Sequence, residues 1–414
     1  MLLTLLSALA AEPDRAWTGV GVQGVYSPPA QQGELDLVLS ERLRWTLWEQ
    51  EQTTLQLRAD ARFTVDPFRG TKVETARVRE LGVHLSTGEL AVDLGRSPVA
   101  YGGPRLVDGV QLHKGLGPAW TVGFWAGEAP DLYTTRPAPR FGGGPILVYQ
   151  LERHQISLVG EVLTSDAGFD RAGLLLQGRT ALNRRIWVDT RLDLQTVSEG
   201  TPLADAAVFL RYQPSPSLRI GAFYDAHSTW RYLSTQDRDP ALQRFASRSQ
   251  ELGLSEDIPQ DSLDPTLYQL VGLSGRWDST GRLSLQLEGR YRHHALADRR
   301  YARVGPRVGF QATDELLLTV DAFALYASEE TRTELGVTAW YQPDRPFAVD
   351  GSARLLLSPQ LDPGFYADGF VSWVAPGPGL SVAAGLFTHG QSDSGFTDTA
   401  VGGLARLTWR LRGS

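Results

Sequence analysis

Charged side chains recur at intervals of two along this chain. Arg58, Asp60 and Arg62 form one such row, Asp189, Arg191 and Asp193 a second, and Glu288, Arg290 and Arg292 a third. On an extended strand, side chains two apart share a face, so each row is a line of charges on one side of a strand. Two kinds of chemistry follow. One is a salt-bridge lattice that stiffens a wall. The other is a wet passage whose charge tunes which solutes enter. By the same alternation Asp93, Arg96, Arg211, Arg219, Asp225, Asp321, Asp350, Arg354 and Asp368 are expected on the charged side, lining a pore. The mixture of signs predicts weak ion selectivity.

Other constellations point to chemistry less firmly. Asp225, His227 and the adjacent Ser228 hold the residue types of a hydrolytic triad. Neighbours on a strand diverge, so Ser228 joins the other two only where the chain turns. No second motif accompanies them, and a hydrolase is the most remote reading; the chain is not expected to be an enzyme. His293 and His294 diverge for the same reason and lack a third ligand, so no metal is expected there. Glu256, Asp257, Asp261 and Asp264 are acidic but lack the Asp-x-Asp-x-Asp-Gly spacing of a calcium loop. The chain has no cysteine, which removes disulfides, thiolate zinc sites and cysteine nucleophiles. Its net charge of −7, with no dominant basic stripe, argues against nucleic-acid binding. No cofactor is implied.

The elements that carry these rows are strands. Leu55, Leu57, Ala59, Ala61 and Phe63 alternate with Gln56, Arg58, Asp60, Arg62 and Thr64. Leu283, Leu285, Leu287 and Tyr291 alternate with Ser284, Gln286, Glu288, Arg290 and Arg292. The same period returns in about 22 segments, each long enough for the roughly 9–11 residues of a membrane-spanning strand. No run approaches the roughly 18 consecutive apolar residues of a transmembrane helix. A charged side chain facing lipid costs about 2–4 kcal/mol at mid-membrane, so the charged faces are expected to turn inward.

The connections alternate short and long. Trp45, Trp120, Trp187, Tyr212, Trp277, Tyr341 and Trp373 lie within a few residues of short turns, and Trp409 lies near the chain end. Tryptophan and tyrosine favour a membrane–water boundary, so these residues are predicted to form an interfacial girdle. The longest connection, residues 229–265, carries Asp239-Pro240 ahead of a short helical pattern and has two readings, a loop folded into the pore that narrows it or an external lid or mobile surface loop. Residues 1–11 read as a secretory signal ending near Ala8-Leu9-Ala10, leaving 12–414 as a single domain.

With this pattern over the whole mature chain, the sequence resembles a Gram-negative outer-membrane β-barrel of the porin type. The final strand, with Val401, Ala405, Leu407, Trp409 and Leu411 on one face, is similar to the C-terminal assembly signal of such barrels but ends in Arg412-Gly413-Ser414. The segment Leu94-Gly95-Arg96 to Tyr101-Gly102-Gly103-Pro104-Arg105 and on to Val110 resembles a strand–loop–strand unit of porin-like proteins. The resemblance implies an all-β, antiparallel up-and-down transmembrane barrel with both termini in the periplasm. Its surroundings would be outer-membrane lipid, and its function passive diffusion of small hydrophilic solutes. A barrel this wide must be narrowed, so a competing reading is a structural or export conduit filled by in-folded loops or by a periplasmic partner protein. A soluble propeller is disfavoured, because no shared repeat of about 40–45 residues recurs.

Overall fold

The computed structural model describes residues 15–27, 32–65, 73–103, 105–130, 139–166, 168–196, 203–228, 267–279, 281–294, 299–327, 331–343, 346–359, 363–375, 380–393 and 396–412. The expected signal at 1–11 and the connection 229–265 lie outside them. The described residues form β1 (Arg15–Ser27), β2 (Gln32–Gln50), β3 (Thr53–Val65), β4 (Val73–Thr87), β5 (Leu90–Pro98), β6 (Leu106–Leu116), β7 (Trp120–Glu128) and β8 (Arg140–Leu151). There follow β9 (His154–Ser165), β10 (Gly168–Ala181), β11 (Ile186–Thr196), β12 (Leu203–Ser215), β13 (Leu218–Ser228), β14 (Leu267–Asp278) and β15 (Leu283–His294). The last are β16 (Arg299–Gln311), β17 (Leu316–Ala327), β18 (Thr331–Tyr341), β19 (Phe347–Leu357), β20 (Gly364–Val374), β21 (Leu380–Asp393) and β22 (Phe396–Arg412).

All belong to one antiparallel up-and-down sheet. Each strand pairs with the next in sequence, and β1 pairs with β22 as well as with β2. The register keeps like with like. Leu43 stands opposite Ala59 and Arg42 opposite Asp60. Leu174 stands opposite Leu194 and Arg179 opposite Asp189. One face of the sheet is therefore mostly apolar, and the other carries most of the charges, together with an apolar cluster on β6 to β10. Leu81, Leu94, Phe124, Leu273, Leu287, Val320 and Leu386 are exposed on the apolar face, while Glu161, Asp193, Asp205 and Asp321 are buried on the polar one. This inverts the pattern of a water-soluble domain, whose carboxylates are mostly exposed.

A row of glycines crosses the polar face. Gly82 pairs with Gly95, Gly95 with Gly109, Gly109 with Gly127 and Gly127 with Gly142. The strands approach closely here: a Cβ on Gly127 would lie 2.5 Å from the Asp108 carbonyl oxygen and 2.7 Å from Gly109 Cα. Gly95 also has a φ of 105°, which a side chain disfavours. The row marks a crease of close backbone contact between β4 and β8. Gly109→Val forces a side chain into that crease. It is expected to cost about 1–3 kcal/mol, in line with overpacking, and to lower the temperature at which the folded form converts on a heat-modifiability gel. Gly275→Ala, where an added Cβ meets nothing within 4 Å, is expected to leave that temperature unchanged.

Candidate functional site

The connection between β5 and β6 folds back against the polar face. Pro98 ends β5, since its nitrogen has no hydrogen for the ladder. The Gly102 N–H then donates to the Val99 carbonyl at 2.8 Å, and the Val99 N–H to the Arg105 carbonyl at 2.9 Å. Tyr101 and Gly103 take left-handed φ values of 59° and 67°. For Tyr101 that is a strained conformation, of order 1–3 kcal/mol, so surrounding contacts must hold it. Gln111 supplies several. Its Oε1 accepts from the Ala100 N–H at 2.9 Å, and its Nε2 donates to Ser97 Oγ at 2.6 Å and to the Pro98 carbonyl at 2.8 Å. Beneath the turn lies an apolar cluster that includes Val99, Val107, Trp125, Ile146, Val159 and Leu175. The indole of Trp125 donates to the Gly160 carbonyl at 3.1 Å.

Arg105 is the anchor. Only 2% exposed, it donates from Nε to Glu161 Oε2 at 2.9 Å, from Nη2 to Asp193 Oδ1 at 2.9 Å, and from Nη1 to the Gly102 carbonyl at 3.0 Å. Arg171 Nε donates to the other Glu161 oxygen at 2.9 Å. Asp193 lies on β11, five strand spacings from β6, or about 24 Å along the sheet at roughly 4.8 Å per strand. A single side chain spans that interval only because the sheet curls tightly, which the glycine crease permits. Tyr101, at the tip, faces a recess of about 340 Å³ bordered by Gln177, Asp189, Arg191 and Phe209.

Elsewhere on the polar face most of the carboxylates meet more than one partner. Asp189 meets Arg179 at 2.7 Å and Arg211 at 3.8 Å. Asp93 meets His84 at 2.7 Å and Arg58 at 3.6 Å. Glu288 meets Arg290 at 2.5 Å and Arg303 at 3.7 Å, and Glu334 joins Arg303 at 3.2 Å to Arg354. Arg191 reaches both Asp205 at 2.8 Å and Asp225 at 3.7 Å. Asp368 accepts from Ser352 Oγ at 2.5 Å and Tyr366 OH at 3.0 Å.

The register puts Arg58, Asp60, Arg62, Asp93, Asp189, Arg191, Asp193, Arg211, Arg219, Asp225, Glu288, Arg290, Arg292, Asp321, Asp350, Arg354 and Asp368 on the polar face. Arg96 is a correction. Three residues from Asp93, it falls on the other face with Leu94, paired to Asp108. Among the aromatics, Trp120, Tyr212, Trp277 and Tyr341 are exposed on the apolar face, and Trp373 is half-buried there. Trp45 is on that face but buried against Leu43, Leu57 and Ala59. Trp187 instead stands opposite Arg211 on the polar face, because it shares the parity of Asp189. Trp409 lies in β22, with its side chain outside the described residues. Ser228 faces away from His227, which pairs with Asp225 at 2.8 Å.

Sequence reading missed Arg105, Glu161, Arg171, Gln111 and Tyr101 as site residues. The turn-rich run Tyr101-Gly102-Gly103-Pro104-Arg105 marks a tight loop, and Glu161 is a lone charge amid Ile156, Val159, Val162 and Leu163. Those two signals, read together, would have pointed here.

No protein-family model matches the chain, and no curated protein matches its sequence. Solved structures match in fold. The siderophore receptor PirA of Pseudomonas aeruginosa aligns over 97% of this chain and 81% of its own, with a TM-score of 0.52 at 10% identity. OccK11 (OpdR) of the same organism aligns over 96% and 95%, at 0.43 and 12% identity. OccAB3 of Acinetobacter baumannii aligns over 96% and 99%, at 0.43 and 8% identity. At such identities the likeness to PirA is one of fold alone, an all-β, antiparallel up-and-down sheet.

Arg105→Ala leaves Glu161 short of one cation and Asp193 without its buried partner. Breaking a buried ion pair typically costs about 3–5 kcal/mol. The variant is expected to show a lower denaturation midpoint in detergent and new chymotrypsin cleavage after Tyr101. Arg42→Ala, which removes a well-exposed partner of Asp60, is expected to cost under about 1 kcal/mol.

Proposed function

We propose that this chain is a closed 22-stranded barrel of the Gram-negative outer membrane that lets small hydrophilic solutes diffuse passively through a charged lumen narrowed by residues 99–105. The observation that carries this reading is the reach of Arg105 to Glu161 and Asp193, a contact across the concavity of the polar face. A chain segment seated there is what a wide barrel needs to become a graded pore.

Several features support the rest. The pairing of β1 with β22 favours a ring without edges. Exposed Trp120, Tyr212, Trp277 and Tyr341 near the short turns, and Tyr224, Tyr291, Tyr326 and Phe365 nearer the long connections, suit two interfacial belts in lipid. The short turns then face the periplasm, with both termini, and residues 12–414 form the mature single domain behind a signal at 1–11. Seventeen of the eighteen sequence-chosen lining residues share the face that would border the lumen, and Arg96 does not. The position of Ser228 away from His227 favours a channel over a hydrolase. Occupation of the interior by the chain's own loop favours a solute pore over a conduit built around a partner protein.

Purified protein in planar bilayers is expected to give discrete open channels. Removing residues 100–104, the turn that Gly102 and Arg105 hold, is expected to enlarge each conductance step. A barrel that stays sealed in both forms, or that carries a stoichiometric second subunit through purification, would overturn the reading.

A further inference from the structure

The lower part of the polar face, toward the short turns, holds a second recess of about 750 Å³. Arg179, Arg211, Arg219 and Arg276 border it, with Asp189 and the ring of Trp187. Two carboxylates serve the four guanidiniums. Asp189 takes Arg179 and Arg211, and Asp278 takes Arg276 at 2.8 Å and Arg219 at 3.9 Å. The exposures differ sharply. Arg179, Arg211, Arg219 and Arg276 are 75%, 74%, 58% and 49% exposed, whereas Asp189 and Asp278 are 25% and 27% exposed. What meets water in this recess is therefore guanidinium, with the carboxylates behind it as struts.

The arrangement is also costly. Arg219 and Arg276 stand directly opposite one another on β13 and β14. Like charges so placed destabilise a strand pair. Gly221, opposite Arg211, puts no side chain between the cations, and the hydroxyl of Ser274, its partner on β14, lies beside it. Guanidinium forks match carboxylate and phosphate oxygens two at a time, and several converging forks favour an anion with more than one such group.

We infer that this recess is a binding subsite for small multivalent oxyanions, carrying two or more carboxylate or phosphate groups, on the wall of the lumen. The inference rests on the channel reading for its place in transport but not for the binding itself. The lumen water then favours anions, although the chain as a whole carries −7.

The test uses the full-length protein in detergent, titrated calorimetrically with citrate, with inorganic pyrophosphate and, as a neutral probe, with glucose. Saturable binding of citrate or pyrophosphate is expected, weakening as salt rises; the tighter of the two names the carboxylate or phosphate class. Arg211→Gln with Arg276→Gln is expected to weaken it about tenfold or more, as loss of charge-assisted bonds implies. Arg42→Gln, on β2, is expected to leave it unchanged. Should the double variant fail to show heat-modifiable migration, Arg211→Lys with Arg276→Lys keeps the charge but loses the forks, and weaker binding is again expected. In bilayers under a potassium chloride gradient, the wild-type zero-current potential should indicate chloride preference, and the double glutamine variant should move it toward zero. Equal heats for citrate, pyrophosphate and glucose, or binding undiminished in the variants, overturns the inference. Binding by a barrel that never conducts overturns the channel reading alone.

Discussion

Every backbone N–H and C=O in an apolar setting must find a partner within the protein, and this requirement governs the rest of the molecule. A strand meets it only with a neighbour on each side. The register supplies that neighbour throughout, including at β1, which is hydrogen-bonded to both β2 and β22. Once the backbone is satisfied sideways, side chains have only two directions to take. The period of two then decides their fate: leucines, valines and aromatic rings to one face, arginines and carboxylates to the other. The charge rows thus follow from the hydrogen-bond constraint together with the outward demand for apolar surface.

The same constraint creates a difficulty. Closed as proposed, strands spaced about 4.8 Å apart and tilted about 40° would enclose a ring roughly 40 Å across, too wide to discriminate among small solutes. The molecule answers with local curvature. Glycines paired across β4 to β8 let backbones approach where a Cβ would collide, and the wall folds enough for a short loop to touch strands far along the sheet. Arg105 then fixes the loop through two carboxylates. Burying four charges carries a large desolvation penalty, offset here by direct hydrogen bonds from Arg105 to Glu161, Asp193 and the Gly102 carbonyl, and from Arg171 to Glu161. Such a network fixes position more than it adds stability. Its geometry admits one seating of the loop.

Most of the architecture was legible in the sequence because it is local. Alternation within one strand reveals that strand and its faces, and turn residues reveal where it stops. The faces of Asp60, Arg191 or Glu288 needed nothing further. Arg96 was misplaced by letting a charged residue outrank strict parity with Asp93, and Trp187 by letting an aromatic do the same with Asp189. The loop site was harder for a different reason. Glu161 and Asp193 lie 56 and 88 residues from Arg105, and their meeting depends on sheet curvature, which the two-residue period does not encode. Length drew attention to 229–265, whereas the seated loop described here is the short 99–105, selected by its anchor.

The sign of the interior was the feature composition could least supply. A net charge of −7 and interleaved Arg and Asp along each strand suggest a balanced or acidic passage. Field in a channel depends on which member of each pair faces water, since an exposed charge acts on passing ions and a buried one is largely spent on its partner. Along this wall Arg307 stands forward of a buried Asp321, Arg191 of a buried Asp205, and Arg354 of Glu334. The physical cause is chain length. Short aspartate side chains stay against the sheet, while long arginines reach past them and keep their heads in solvent. A wall built from Arg–Asp rows therefore presents cations to its lumen even when the two types are equal in number, and sharing of one carboxylate between two arginines deepens the bias.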